Sequence, residues 1–226
     1  EISFSETNLL CYGDENGQIT TNIQGGTPPY ISYVWNSGQT TANMQSLFAG
    51  TYTLTITDQA NCTESLSIEI TQPPNLIIDF VIGNIDCYGN TTGTIDISFS
   101  GATPPYSSPI WENGETENSL IELAAGVYSV SISDDNNCLF EDSAEILEPE
   151  PIQIQIDIQE LSCFGFSDGS IDISVSGGTM PVSHYFWSNS SQSEDLTDLP
   201  AGTYGLTVVD QNFCRKMLEI ELLQPD

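Results

Sequence analysis

The chain has 226 residues, with 32 acidic against two basic side chains and a formal net charge of −30, so nucleic acid and anionic lipid are excluded as partners by repulsion. No apolar run is long enough to cross a bilayer as a helix, and no basic-then-apolar start resembles a signal peptide. An apolar content of 38%, rich in Ile, Val, Leu and Tyr, excludes a disordered acidic tail, and the spread of the acids along the chain reads as a solvated acidic skin.

Landmarks of the first third recur twice at a spacing of 76 residues: Cys11, Cys87 and Cys163; Trp35, Trp111 and Trp187; Tyr52, Tyr128 and Tyr204; Asp58, Asp134 and Asp210; Cys62, Cys138 and Cys214; Pro73, Pro149 and Pro225. The chain is therefore expected to be three copies of one module, at 1–74, 75–150 and 151–226, and to be a mature fragment cut at repeat boundaries. Units this small sit near the lower limit for a self-sufficient core and need a staple.

Within each copy the elements follow in order. An opening strand holds Ile2 and Phe4, then a Cys-aromatic-Gly turn (Cys11-Tyr12-Gly13) leads to a strand alternating as Ile95, Ile97 and Phe99 do in the second copy. That strand ends in Gly-Gly-Thr-Pro-Pro-Tyr at 25–30, which excludes helix and central strand. The pairs Val34-Trp35, Ile110-Trp111 and Phe186-Trp187 follow, and their adjacent apolar residues predict burial on both faces. A Leu-x-Ala-Gly-x-Tyr corner opens the most regular strand, with Tyr52, Leu54 and Ile56 inward and Thr51, Thr53, Thr55 and Thr57 outward; it resembles the tyrosine corner of immunoglobulin-like and fibronectin-like sandwiches. Asp58 to Asn61 form a turn, and a last strand runs to Gln72-Pro73-Pro74, a short stiff linker. Glu6, where the other copies have Ile82 and Ile158, and Asp142, where they have Leu66 and Leu218, mark exposed edges. The predicted fold is all-β: three tandem immunoglobulin-like or fibronectin-like β-sandwich modules in an extended rod.

The ordered string Cys-x-Gly-x-x-x-Gly-x-Ile, Gly-Gly-Thr-Pro-Pro-Tyr, Trp, Leu-x-Ala-Gly-x-Tyr, Asp-x-x-x-Cys and Gln-Pro resembles the SprB-type repeat of very large cell-surface adhesins of gliding Bacteroidetes-type bacteria. The third copy departs from it at Met180 and Val182. The resemblance implies an extracellular, cell-surface adhesin filament, exported and moved along the surface so that attachment becomes locomotion, with no catalytic residues to transfer. It also implies O-glycosylation at Asp142-Ser143-Ala144.

Two cysteines per copy in a chain with one histidine favour disulfides over zinc, and hence an oxidising compartment. Pairing within each copy is expected, Cys11 with Cys62, Cys87 with Cys138 and Cys163 with Cys214, each worth ~4 kcal/mol by chain entropy. Free buried thiols are the alternative. One tension stands against this pairing: in an immunoglobulin topology the two turns lie at opposite ends, beyond the reach of a disulfide.

No cofactor is required; calcium at Asp58, Asp134 and Asp210 is the one metal chemistry admitted, although a single retained carboxylate is also ordinary turn chemistry. Tyr12, Tyr30, Tyr33 and Tyr88 offer an aromatic platform for polysaccharide, whereas the three tryptophans read as core. His184 and Ser188 to Ser193 read as surface loop, and no catalytic constellation repeats, so the chain is expected not to be an enzyme. Expected partners are extracellular surfaces or polysaccharide and neighbouring repeats of the same chain, without membrane insertion. The function expected is reach and multivalent attachment for adhesion and gliding, the alternative being carbohydrate-binding or spacer modules of a secreted polysaccharide-processing protein.

Overall fold

The computed structural model describes residues 1–225; Asp226, the last residue assigned above to the third module, lies outside them. In the first repeat the strands are β1 (Ile2–Thr7), β2 (Gly17–Ile23), β3 (Tyr30–Trp35), β4 (Met44–Leu47), β5 (Gly50–Asp58) and β6 (Thr63–Ile70). The succession recurs as β7 (Ile77–Gly83), β8 (Gly93–Ser100), β9 (Ile110–Trp111), β10 (Ser119–Leu123), β11 (Gly126–Ser133) and β12 (Leu139–Ile146). It recurs again as β13 (Gln153–Gln159), β14 (Gly169–Ser176), β15 (His184–Trp187), β16 (Leu196–Leu199), β17 (Gly202–Val209) and β18 (Arg215–Leu222). No helix occurs among the described residues.

Each repeat contributes two three-stranded antiparallel sheets of identical order. In the first they are β1–β2–β4 and β3–β5–β6, in the second β7–β8–β10 and β9–β11–β12, and in the third β13–β14–β16 and β15–β17–β18. This is the A-B-E against C-F-G arrangement of an immunoglobulin-like sandwich. In the first repeat the layers close on one core, in which Ile2, Ile19 and Met44 of one sheet meet Trp35, Leu54, Ile56 and Ile70 of the other. In the third, Ile171, Ile173 and Leu196 meet Trp187, Leu206, Val208 and Ile220.

The local causes are visible strand by strand. On β5 the apolar set faces inward, with Leu54 and Ile56 buried and Tyr52 half-buried. The outward threonines pair across to β6, Thr53 with Ser67 at 2.8 Å and Thr55 with Ser65 at 2.7 Å. The tyrosine corner forms in all three copies: Tyr52 donates to the Phe48 carbonyl (3.0 Å), Tyr128 to that of Ala124 (3.0 Å) and Tyr204 to that of Pro200 (2.8 Å). Each tryptophan is buried and donates its indole N–H to a carbonyl six residues on, that of Thr41, Glu117 or Ser193.

The residue before each tryptophan is not buried. Val34, Ile110 and Phe186 are 49%, 59% and 46% exposed, because a two-layer sandwich leaves the outer face of each sheet to solvent and successive strand residues alternate between faces. Glu6 and Asp142 are exposed on β1 and β12, both of them sheet edges, as their charge predicts.

The chain packs as two compact units. One comprises Glu1–Asp79, Ile97–Asn118 and Ser129–Asp142, the other Phe80–Asp96, Ser119–Tyr128 and Ser143–Asp226. The division passes through the middle repeat, so each unit holds one terminal repeat with the part of the middle repeat that packs on it.

Gly17, Gly93 and Gly169 open the second strand of each repeat at a point of close approach. A Cβ on Gly17 would lie 2.7 Å from the Leu47 carbonyl oxygen and 3.0 Å from an Ile70 methyl. Gly17→Ala is therefore expected to destabilise the first repeat by about 1–3 kcal/mol, read as a lower urea midpoint; an unchanged midpoint would mean that β4 yields without cost.

Candidate functional site

The first cysteine of each repeat lies in the turn after the opening strand; the second lies in the turn between the last two strands. Register fixes where these turns sit. Thr7 pairs with Gln18, Gly17 with Leu47, and Gly50 with Ile70, so the Cys11 turn, the start of β5 and the exit of β6 share one end of the sandwich. Thr57 pairs with Thr63, which puts Cys62 at the other end. The nine residues of β5 separate the two ends by roughly 30 Å.

The expected pairings Cys11–Cys62, Cys87–Cys138 and Cys163–Cys214 are accordingly not formed. Cys11 is bonded to Cys138 and Cys87 to Cys214, with Cα–Cα distances of 5.6 and 5.5 Å. Cys62 and Cys163 are free and exposed. The physical reason is the separation just described, which far exceeds the ~7 Å a disulfide tolerates. Each bond instead joins the leading turn of one repeat to the trailing turn of the next, Cys11–Cys138 within the first compact unit and Cys87–Cys214 within the second. The missed signal was the 76-residue phase itself: if one end of a repeat meets the opposite end of its successor, a cysteine at each end serves two different neighbours.

The trailing turn is built around the invariant aspartate. Asp58, Asp134 and Asp210 are buried, with 6%, 5% and 1% exposure. One carboxylate oxygen of Asp58 accepts from the amides of Ala60 and Cys62 (both 2.9 Å), and the other from Thr27 in the proline-rich loop (2.9 Å). Asp134 does the same with Asn136, Cys138 and Thr103, and Asp210 with Asn212, Cys214 and Thr179. Residues read as candidate calcium ligands thus spend both carboxylate oxygens on backbone amides, tying two loops together and aiming the second cysteine outward. Among the described residues no group of three or more His, Cys, Asp or Glu is placed to hold a metal.

The leading turn is braced by the segment that leaves the same repeat. Leu9 donates to the Thr71 carbonyl (2.9 Å), Thr71 to Asn8 Oδ1 (2.7 Å), and Gly13 to Gln72 Oε1 (2.9 Å). Ile85, Leu147, Gly89 and Glu148 reproduce the pattern in the second repeat. At each paired junction an asparagine side chain adds a non-covalent clasp: Asn136 Nδ2 donates to the Leu10 carbonyl (2.9 Å) and Asn212 Nδ2 to that of Asp86 (3.3 Å). The linker is docked as well, with Ala102 donating to the Pro74 carbonyl (3.0 Å) and Gly178 to that of Glu150 (2.7 Å). In the second unit a surface cleft of about 440 Å³ lies beside the disulfide, lined by Tyr88, Phe213, Arg215 and Lys216 among others; the two last are the chain's whole complement of Lys and Arg.

The tyrosines do not form one platform. Tyr30 is half-buried and donates to the Gly25 carbonyl (2.6 Å), as Tyr106 does to that of Gly101, and Tyr33 packs against the core. Tyr12 and Tyr88 are exposed, as is Phe164 at the same position of the third repeat.

Two measurements check this geometry. Protein never exposed to reductant should present two alkylatable thiols, Cys62 and Cys163, and its linked peptides should join Cys11 to Cys138 and Cys87 to Cys214; links within a repeat would refute the assignment. The amides of Thr27 and Cys62 hold the Asp58 carboxyl below its ordinary value of 3.8. A depressed folded pKa stabilises above the unfolded value, and that stability is lost as pH falls through the folded one. The difference in Tm between the native chain and Asp58→Asn should thus be constant above about pH 5 and shrink below 3.8; a difference independent of pH would mean the carboxylate is not the acceptor.

A family model described as the SprB repeat matches residues 3–40, 80–107 and 156–192, leading segments that hold the first cysteine of each repeat and, in the first and third, its tryptophan. No curated protein matches. Among solved structures, three N-terminal domains of the highly immunogenic outer capsid protein of bacteriophage RB49 align at 13% identity and TM-score 0.41, covering 100% of this chain and 99% of that one. The eight N-terminal immunoglobulin domains of Down syndrome cell adhesion molecule isoform 1.30.30 align at 10% and 0.36, covering 99% and 48%. A C-terminal fragment of intimin, solved with the intimin-binding domain of its translocated receptor, aligns at 14% and 0.35, covering 68% and 66%. The sandwich assignment rests on the strand order and the tyrosine corners. The family model thus matches one segment in each of the three copies, which is consistent with repeats of the SprB type.

Proposed function

We propose that the chain is part of a secreted cell-surface adhesin in which modules 1–74, 75–150 and 151–226 act in series, giving reach and multivalent attachment for surface adhesion and gliding. The observation that carries this reading is the pair of disulfides joining successive repeats. Tension applied at the termini runs from Glu1 to Cys11, crosses to Cys138, returns through the middle repeat to Cys87, and crosses to Cys214. Only roughly a third of the residues lie on that shortest covalent path; the remainder are shielded from extension. A module whose task is to transmit load gains from such a short circuit, whereas an enzyme would have no use for it. Disulfides persist in oxidising, extracellular surroundings, which supports the placement outside the cell.

A second reading, carbohydrate-binding or spacer modules of a secreted polysaccharide-processing protein, draws on the exposed aromatic after each first cysteine: Tyr12, Tyr88 and Phe164. Stacking on such rings is a usual means of holding sugar rings.

Force spectroscopy with the chain on a cantilever tip tests both. Adhesin modules should give rupture events on polysaccharide or abiotic surfaces that increase with tip density, and reduction of the disulfides should lengthen full extension about threefold, at ~3.5 Å per residue. Loss of rupture in Tyr12→Ala/Tyr88→Ala/Phe164→Ala, on polysaccharide alone, would favour the second reading. An extension unchanged by reductant would remove the clamp from the load path and the adhesin reading with it.

A further inference from the structure

The structure leaves one half-junction at each end of the series. In the third repeat the leading turn is braced as in the occupied ones: Leu161 donates to the Leu223 carbonyl (3.3 Å), Leu223 to Glu160 Oε2 (2.6 Å), and Gly165 to Gln224 Oε1 (3.1 Å). Asp168 adds a further brace, accepting from the amide and hydroxyl of Ser162 (3.2 and 2.5 Å). The turn carries Cys163 as an exposed thiol. In the first repeat the trailing turn is likewise set by Asp58 and carries the exposed thiol of Cys62. The same two residue positions are bonded to each other at both internal junctions. Neither thiol is therefore a stray: each stands in a preformed half of a site whose occupied form is present twice in the same molecule.

We propose that the ligand of the Cys163 turn is the trailing turn of a further SprB-type repeat, and that a second copy of this chain, presenting Cys62, completes it head to tail. The inference does not depend on the adhesin reading. With a small-molecule disulfide such as oxidised glutathione as oxidant, the Cys163 thiolate attacks one glutathione sulfur, forming a mixed disulfide and releasing one glutathione thiol. The Cys62 thiolate then attacks the Cys163 sulfur and releases the second. Two protein thiols are oxidised, one glutathione disulfide is reduced, and the two protein protons leave on the glutathiones.

One residue distinguishes this end from the others. Ala60 occupies the position of Asn136 and Asn212, the asparagines that clasp the carbonyl preceding the partner cysteine. The incoming turn of the first repeat lacks that donor, so Ala60→Asn should supply it to the carbonyl of Ser162 and promote joining. Adventitious oxidation of exposed thiols would be indifferent to this change.

The experiment uses the 226-residue chain at roughly millimolar concentration, comparable to what a short tether provides, in a glutathione redox buffer. A ladder of multimers on non-reducing gels is expected, with peptide mapping that links Cys163 to Cys62. Cys62→Ser and Cys163→Ser should each abolish the ladder, although each retains one free thiol able to form symmetric dimers. Ala60→Asn should raise multimer yield severalfold at equal time. Symmetric Cys62–Cys62 or Cys163–Cys163 dimers in comparable amount would overturn the proposal. So would monomers that end as glutathione adducts or lose both thiols internally, or a yield insensitive to Ala60→Asn while that variant keeps the native Tm.

Discussion

The two cysteines of a repeat cannot reach each other, and most of the architecture follows from that constraint. In the sandwich of the first repeat, β3 and β4 run in the same direction, so the register puts the leading turn and the chain exit at one end, and the trailing turn and the chain entry at the other. Pro-rich linkers of a few residues then bring the leading end of one repeat against the trailing end of its successor. The disulfides therefore join neighbours, and the middle repeat takes part in both junctions with one cysteine in each. The bonds span 127 residues of sequence, a separation for which the chain-entropy estimate is ~5 kcal/mol each. Small cores near the lower limit of independent stability are thus stapled to each other and not to themselves.

The aspartate of the trailing turn is what makes the junction specific. Its carboxylate takes three backbone donors, one from the proline-rich loop and two from its own turn, so the loop that docks the linker and the turn that carries the cysteine are held as a single piece. The demand on this carboxylate explains why it is retained in all three copies while the neighbouring acids vary. It also explains how it stays buried in a chain with almost no cations: amide dipoles, not ion pairs, compensate its charge. Among the described residues no buried side-chain nitrogen or oxygen is left without a partner.

Much of this was legible in sequence because it depends on short-range patterning. Alternation on β5, the Gly-Tyr corner and the tryptophan each express a local rule, and the structure realises them three times. Burial on both faces at Val34-Trp35 was misread because adjacent apolar residues on a strand look alike whether or not a second layer covers the outer face. The role of Tyr30 was also hidden, since only the folded loop shows its hydroxyl returning to the Gly25 carbonyl. Cysteine pairing was the largest miss. Even counts at fixed spacing suggest closure within a repeat, yet the turn positions of Cys11 and Cys62, read on an immunoglobulin topology, already forbade it. Local pattern identified the module, but connectivity between modules depends on which ends meet, and no window of sequence shorter than two repeats contains that information.

The net charge of −30 gives the covalent junction its purpose. Neighbouring repeats of like charge repel over about a Debye length, 8–10 Å at moderate salt. Their non-covalent contact, in each unit, includes an asparagine clasp and a docked linker carbonyl, and hydrogen bonds of this kind contribute only about 1 kcal/mol apiece. The repulsion opposing these contacts grows as salt is withdrawn. A disulfide is insensitive to ionic strength, so the surface is free to remain uniformly acidic and resistant to lateral association while successive repeats stay joined. The conformity of the first repeat's trailing turn and the third repeat's leading turn to the occupied halves extends this logic beyond the two bonds formed: what repels at long range is made to join only where a braced thiol meets its complement end on.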